Sequence, residues 1–374
     1  MKTLIIFCIL TLSERFLNIN LGYLRLSLGD LFVVSFFIYH LFSGATLPKN
    51  MVALLALVFF LLSVSSFSNA LIGLNAVVSI SLKVFMAFVL VRHERDATYD
   101  RSNLMIYGFF ITGLILCDLF LTGKLGGREH FNANELGFYL LGSYFVISAY
   151  LIRHERAIGK MSAVAFILFV VFLILNSRQG VLALMCVFVA ILVFSNASRL
   201  KKGAVIVCFG AILSLALASN AQLLNDRNLQ RLDTIILLEP STRADTYRMN
   251  NILFGLNGFL EKPLIGHGLT SFLKDSEYKK VAHNAYVTFL YEMGLVGFIL
   301  YTYFLFFSFT VGRRVIKVYR KVYSSFAIYC FGFWPLSLVI VSLFIEVLAK
   351  APLYLFVFST FMMYEACNRK VGGL

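Results

Sequence analysis

AVAFILFVVFLIL, residues 163–175, carries no charge, no helix breaker and no alternation of polar with apolar side chains. Comparable runs recur along most of the 374-residue chain, which is 60% hydrophobic and 14% charged, with a mean hydropathy of +0.84. An apolar run of ~20 residues is what an α-helix needs to cross ~30 Å of hydrocarbon, whereas a membrane β-barrel alternates polar and apolar residues over ~10-residue segments. The sequence therefore predicts an all-α polytopic membrane protein, a single membrane domain over residues 1–374. Apolar runs and their polar breaks place about twelve spans, near 3–21, 27–44, 51–68, 71–91, 102–121, 134–152, 161–176, 179–195, 203–219, 284–311, 324–348 and 351–367. The first run lacks an A-x-A cleavage site and a second span follows directly, so it reads as a retained helix.

Outward from those spans, one polar interval exceeds the rest: residues 220–283, lying between N-terminal helices (1–219, about nine spans) and C-terminal helices (284–374, about three spans). The Lys and Arg of the short breaks are unevenly shared. The N-terminus and the breaks after even-numbered spans hold eighteen, among them Arg92, Arg95, Arg153, Arg199, Lys201, Arg313, Arg314 and Arg369; the other side's short breaks hold five, Arg25, Lys124, Arg128, Arg178 and Lys350. Cations stay on the cytoplasmic side, so both termini are expected there and the 220–283 loop outside. The net charge of +14 follows from the same bias and from anionic headgroups, and does not indicate a nucleic-acid partner. The six cysteines are scattered, without C-x-x-C spacing, and read as small buried apolar residues.

Three outward breaks converge: GKLGGREHFNANE, NSRQG and the long loop. Arg178 stands alone in a tight turn there; snorkelling to headgroups is the plain alternative to a ligand role. Inside the loop, Pro240-Ser241-Thr242 precedes a helical pattern with apolar Ile252, Leu256, Phe259 and Leu260, closed by Pro263. That stripe suits a helix at the membrane surface. Arg243 falls in its first turn, where the helix dipole disfavours a cation, an arrangement explained by an anion held jointly by Arg243 and the helix N-terminus. Two glycines flank His267 and permit a tight turn. Lys83, Glu346 and Glu292 are ionisable groups within apolar spans, the kind that face a bundle interior and either line a site or pair helices.

No D-x-D pair, P-loop, H-x-x-x-H pair or G-x-S-x-G elbow occurs, so metal-held nucleotide sugars, nucleotide hydrolysis, zinc chemistry and serine hydrolysis lack their residues. Arginine and histidine remain on the outward side, a set suited to holding phosphate and removing a proton.

Four stretches in order, YLRLSLGDLFVV (23–34), FNANELGFYLLG (131–142), NSRQGVLAL (176–184), and STRADTYRMNNILFGLNGFLEKPLIGHGLTSF with HNAYVTFLYEMGLVGFILY (241–272 and 283–301), resemble the superfamily of O-antigen polymerases and O-antigen ligases. The resemblance implies a GT-C-type glycosyltransferase fold and metal-independent, inverting transfer of an undecaprenyl-diphosphate-linked glycan, with no cofactor. It implies that Arg178 and Arg243 contact the donor diphosphate and that His283 activates the acceptor hydroxyl. Arg128, Asn134, Lys83, Tyr247, Arg248, His267 and Glu292 complete the candidate diphosphate- and substrate-binding set. At His267 the superfamily more often has an aliphatic residue. The implied partners are lipid-linked donor and acceptor, membrane lipids and a chain-length regulator protein; the implied location is the bacterial inner membrane with a periplasmic active site. A polymerase is the first reading and a ligase onto lipid A core the alternative. A flippase would show internal repeats or paired broken helices, which the sequence lacks.

Overall fold

A computed structural model describes residues 18–21, 24–27, 35, 38, 133–154, 178–194, 203, 206–207, 243–277, 282–320, 328–329, 332–343 and 351–372. The expected spans at 51–68, 71–91, 102–121 and 161–176 fall outside the described residues, as do Lys83, Arg128 and Glu346.

Among the described residues the fold is helical, as expected, apart from one short hairpin. β1 (Asn18–Leu21) and β2 (Leu24–Ser27) form an antiparallel hairpin, with Ile19 opposite Leu26, Leu21 opposite Leu24, Asn18 opposite Ser27 and Asn20 opposite Arg25. The first span, expected to run to residue 21, thus gives way to a strand by residue 18.

Seven helices follow: α1 (Ala133–Arg153), α2 (Arg178–Phe194), α3 (Arg243–Glu261), α4 (Ser271–Asp275), α5 (Ala285–Tyr319), α6 (Trp334–Ser342) and α7 (Ala351–Gly372). α1, with Glu135 in its first turn and Arg153 in its last, sets both charges favourably on the helix dipole. α6 opens on Trp334-Pro335, where proline's missing N–H leaves no bond unmade. By length and composition, Glu135–Arg153 and Ala285–Tyr319 can cross a membrane, in keeping with a helical membrane protein.

α1, α6 and α7 meet on an aromatic stack. Phe145 lies 4.6 Å from Trp334 and 4.7 Å from Phe356 between ring centres, and Trp334 lies 5.3 Å from Phe356. In lipid, helices associate through close contact and polar pairing rather than by escape from water, and the bundle shows both. A Cβ on Gly312 would stand 2.2 Å from the Gly332 carbonyl oxygen, so α5 and the start of α6 cross backbone to backbone. Ser148, Ser342, Ser359 and Thr360 return their hydroxyls to the carbonyls four residues earlier, so each of these four is satisfied within its own helix.

Contacts fix the helix directions. α5 and α7 run in parallel, Ser308 meeting Thr360 and Arg314 meeting Asn368, while α6 runs against α5, with Gly332 at Gly312 and Ser342 at Tyr301. The C-terminal ends of α1, α5 and α7 therefore share one side and carry Arg153, Lys317, Arg369 and Lys370. Beside them, burial and then the charges of Arg153 and Arg369 pull His154 down to about 4, so it adds no charge to this basic end at neutral pH. The opposite end holds the starts of α1, α2 and α7.

α5 departs from the single span expected at 284–311. Gly294 adopts φ 61°, ψ −159° and splits it into α5a (285–293) and α5b (295–319). Phe289 stacks on Tyr301, centres 4.4 Å apart and 13° from parallel. Twelve residues of straight helix would separate the two by about 18 Å. α5a is thus folded back along α5b.

Candidate functional site

The fold-back is built by exchanging backbone hydrogen bonds. An uninterrupted helix would have Leu295 and Val296 donate to the carbonyls of Tyr291 and Glu292. Instead Leu295 and Val296 donate to Pro263 and Leu264 (2.7 and 3.3 Å), and the freed carbonyls of Tyr291 and Glu292 accept from His267 and Gly268 (both 2.8 Å). All four broken ends are satisfied by the loop that follows α3. Two glycines allow the approach: a Cβ on Gly266 (φ 70°) would fall 2.5–2.6 Å from the Glu292 carbonyl, and one on Gly294 would fall 2.5 Å from the Leu264 carbonyl.

This joint ties α3, α4 and α5a into a module with its own small core of Phe272, Ala282, Val287 and Tyr291, against which Ile252 and Phe254 pack. α3 lies beside α5a in the same direction, since Gly255 faces Val287 and Gly258 faces Tyr291. At about 100° per residue, Tyr247, Asn251, Phe254, Gly255 and Gly258 fall in one sector of α3, which around Gly255 and Gly258 is the sector turned to α5a. The apolar stripe facing away is Met249, Leu253, Leu256 and Leu260. Of the expected surface stripe, Leu256 and Leu260 are exposed, whereas Ile252 and Phe259 are partly buried, Ile252 in the module core. The helix ends at Glu261, just before Pro263, as expected.

His283 stands two residues before α5a, with φ 53°. A non-glycine residue in this region carries strain that the surroundings must hold, and such strain gathers at functional sites. Its neighbour Asn284 is the N-cap, its side-chain oxygen accepting from the Val287 N–H at 3.2 Å. Asn284→Ala removes that acceptor. It should lower stability by about 1 kcal/mol, with Asn284→Asp close to the parent, as read by thermal unfolding in detergent.

The other expected site residues divide by location. Arg178 and Arg243 are the first residues of α2 and α3, and Asn134 is the second of α1. Arg178 and Asn134 thus sit at the end of the bundle where the module is tied to α5b. Because Gly255 faces Val287, residue 253 is level with Ala285, and Arg243 stands ten residues, about 15 Å, farther along α3 than the start of α5a. Tyr247 is partly buried on the inward sector and Arg248 is exposed.

Glu292 is buried and its carboxylate accepts from the Phe272 N–H at 3.3 Å. Thr270 gives α4 no side-chain cap, and a carboxylate at a helix N-terminus fills that place. The ring of His267 is held on two sides: Nε2 lies 2.8 Å from the Gly258 carbonyl, and the ring stacks on Tyr291 at 4.5 Å and 12°. Tyr291 in turn donates its hydroxyl to Asp275 (3.1 Å). Sequence reasoning named His267, its two flanking glycines and Glu292, but not Gly258, Gly294, Tyr291 or the buried Asn251. The signal available for the joint was GHG at 266–268 together with MG at 293–294, glycines spaced for a turn and a helix break. Among the described residues no cluster of His, Cys, Asp and Glu could hold a metal ion.

The family model described as O-antigen ligase matches residues 163–302. The match takes in α2, α3, the joint, His283 and α5a, and contains two of the four stretches on which the resemblance was read, 176–184 and 241–272 with 283–301. No curated protein matches the chain.

Proposed function

From the premise that the chain carries, at residues 163–302, a domain of the O-antigen polymerase and ligase superfamily, we propose that it is a surface-polysaccharide polymerase of the inner membrane. It transfers an undecaprenyl-diphosphate-linked glycan to a hydroxyl of another lipid-linked repeat unit, on the periplasmic face and with both termini in the cytoplasm. The observation that supports this most is positional. The matched stretch contains Arg178, Arg243 and His283, and each stands at the N-terminal start of a helix, where peptide dipoles favour an anion.

The residues then take distinct parts. As the anomeric C–O bond breaks, its electron pair leaves with the lipid diphosphate, whose growing charge is met by the guanidinium groups of Arg178 and Arg243 and by helix N-termini. The acceptor oxygen forms the new bond from the opposite face while His283 takes its proton, an imidazole being near its working range at neutral pH. Inversion at the anomeric carbon follows. The interval between Arg243 and the start of α5a is one that a diphosphate-linked sugar and a guanidinium arm can fill. Arg128, Asn134, Lys83, Tyr247 and Arg248 are proposed to line the glycan and diphosphate path.

Arg243→Ala is expected to reduce transfer about a hundredfold, and Arg243→Lys to recover only part of it, since an ammonium lacks the two-pronged fit. The measurement is elongation of a purified lipid-diphosphate oligosaccharide by the reconstituted protein with chelator present. Wild-type protein that needs a divalent ion would overturn the arginine reading. Glycan lipids of a strain lacking the protein decide the acceptor: single repeats on the lipid A core indicate a lost polymerase, and a bare core indicates a lost ligase.

A further inference from the structure

The ring of His267 is held where it stands at Nε2 and on one face. Nε2 meets the Gly258 carbonyl, which can only accept, so Nε2 carries the proton and is spent on α3. One face lies on Tyr291 of α5a, and the residue's own N–H closes the joint on the Tyr291 carbonyl. The side chain is 12% exposed. Gly258 is what admits the ring, because a Cβ there would lie 2.2 Å from the Tyr291 ring and 3.4 Å from His267 Nε2. One imidazole thus touches α3, the loop and α5a at once, and α5a is the segment that begins at His283.

We propose that His267 is a positioning residue, which clamps α5a in its folded-back pose against α3 and so sets the place and strained backbone of His283. It does not touch the reacting atoms. A hydroxyl or diphosphate could reach Nε2 only by displacing the Gly258 carbonyl. Tyr291 is the intermediary: stacked on His267 and tethered to Asp275, it lies eight residues after His283, about two turns along the same short helix.

The clamp itself is tested without any appeal to function, by hydrogen exchange of residues 285–296 in the reconstituted full-length protein. His267→Ala should speed exchange of the Leu295 and Val296 amides about tenfold or more, because the loop that accepts from them loosens. His267→Gln, whose amide can still donate to the Gly258 carbonyl, should stay within about threefold of the parent. Positioning rests on the glycosyl-transfer reading and is tested by kinetics. His267→Ala should lower kcat about tenfold with KM within about twofold and an unchanged pH profile, and His267→Gln should recover most of the loss. Unchanged exchange and turnover in His267→Ala would overturn the proposal. So would loss of a pH-profile limb in His267→Gln, which would mark a proton-transfer group. If the alanine variant fails to fold, the glutamine variant decides alone by the same readouts. Wild-type protein without transferase activity would defeat the proposed function and leave the exchange result standing.

Discussion

His283→Ala is expected to abolish polymer formation while leaving the protein at normal levels in the membrane. Removing a general base costs about 10²–10⁴ in rate, and a chain-building reaction repeated at every unit turns a loss of that size into absence of long product. The local structure makes the test clean. His283 precedes the helix, the N-cap bond belongs to Asn284, and the module core is built from Phe272, Ala282, Val287 and Tyr291. Alanine therefore deletes the imidazole without opening the core. It still has to adopt φ 53°, which costs about 1 kcal/mol; His283→Asn, a residue at ease in that region, separates backbone strain from lost chemistry. Both variants should be inactive if the imidazole matters. Gel analysis of surface glycan, with immunoblotting for the protein, reads both. Long-chain polymer in either variant would remove His283 from the mechanism.

Gly294→Ala should damage the fold itself. Its φ 61°, ψ −159° lies in a region that is essentially glycine's alone, and the added methyl would sit 2.5 Å from the Leu264 carbonyl carbon and oxygen. Those atoms are backbone in a loop already bonded to α5b, so no side chain can swing aside. Strain of about 1–3 kcal/mol adds to loss of the Pro263 and Leu264 bonds, each worth about 1 kcal/mol. The relieved state is a straightened α5, which would carry His283 about 15 Å or more from the place where α5a now begins its fold-back. Low expression, a lowered unfolding temperature in detergent and no polymer are expected together. Leu295→Ala, at an exposed neighbouring position, should stay within about 0.5 kcal/mol of the parent. A Gly294→Ala protein as stable and as active as wild type would show that the joint does not hold the module.

Much of the framework could be read from residue order. Apolar runs marked α1 and α2 to within a residue or so of their observed ends, because each run is as long as the hydrocarbon requires and its limits are charged or polar residues, Arg153 and Arg178 among them. Ser241, Thr242 and Pro263 bracketed α3 through the local chemistry of helix starts and stops. The hairpin at 18–27 is hard to read from the sequence because Ile19 and Leu21 close an apolar run while Leu24 and Leu26 fall in the short break after it, and each strand is only four residues long.

The sequence alone determined the class, a helical membrane protein with an arginine- and histidine-bearing loop, and a resemblance to a superfamily whose model matches residues 163–302. These are properties of composition and order, and they survive any arrangement of the helices. Only the tertiary structure decided that the span after His283 is broken at Gly294, that α3 lies alongside its first nine residues, and that His267 and Glu292 are engaged by Gly258 and Phe272. The reason is physical. A helix break is cheap only if something distant accepts the freed carbonyls and supplies carbonyls to the orphaned N–H groups, and here that something is a loop some thirty residues earlier, whose fit depends on two glycine backbones meeting in space.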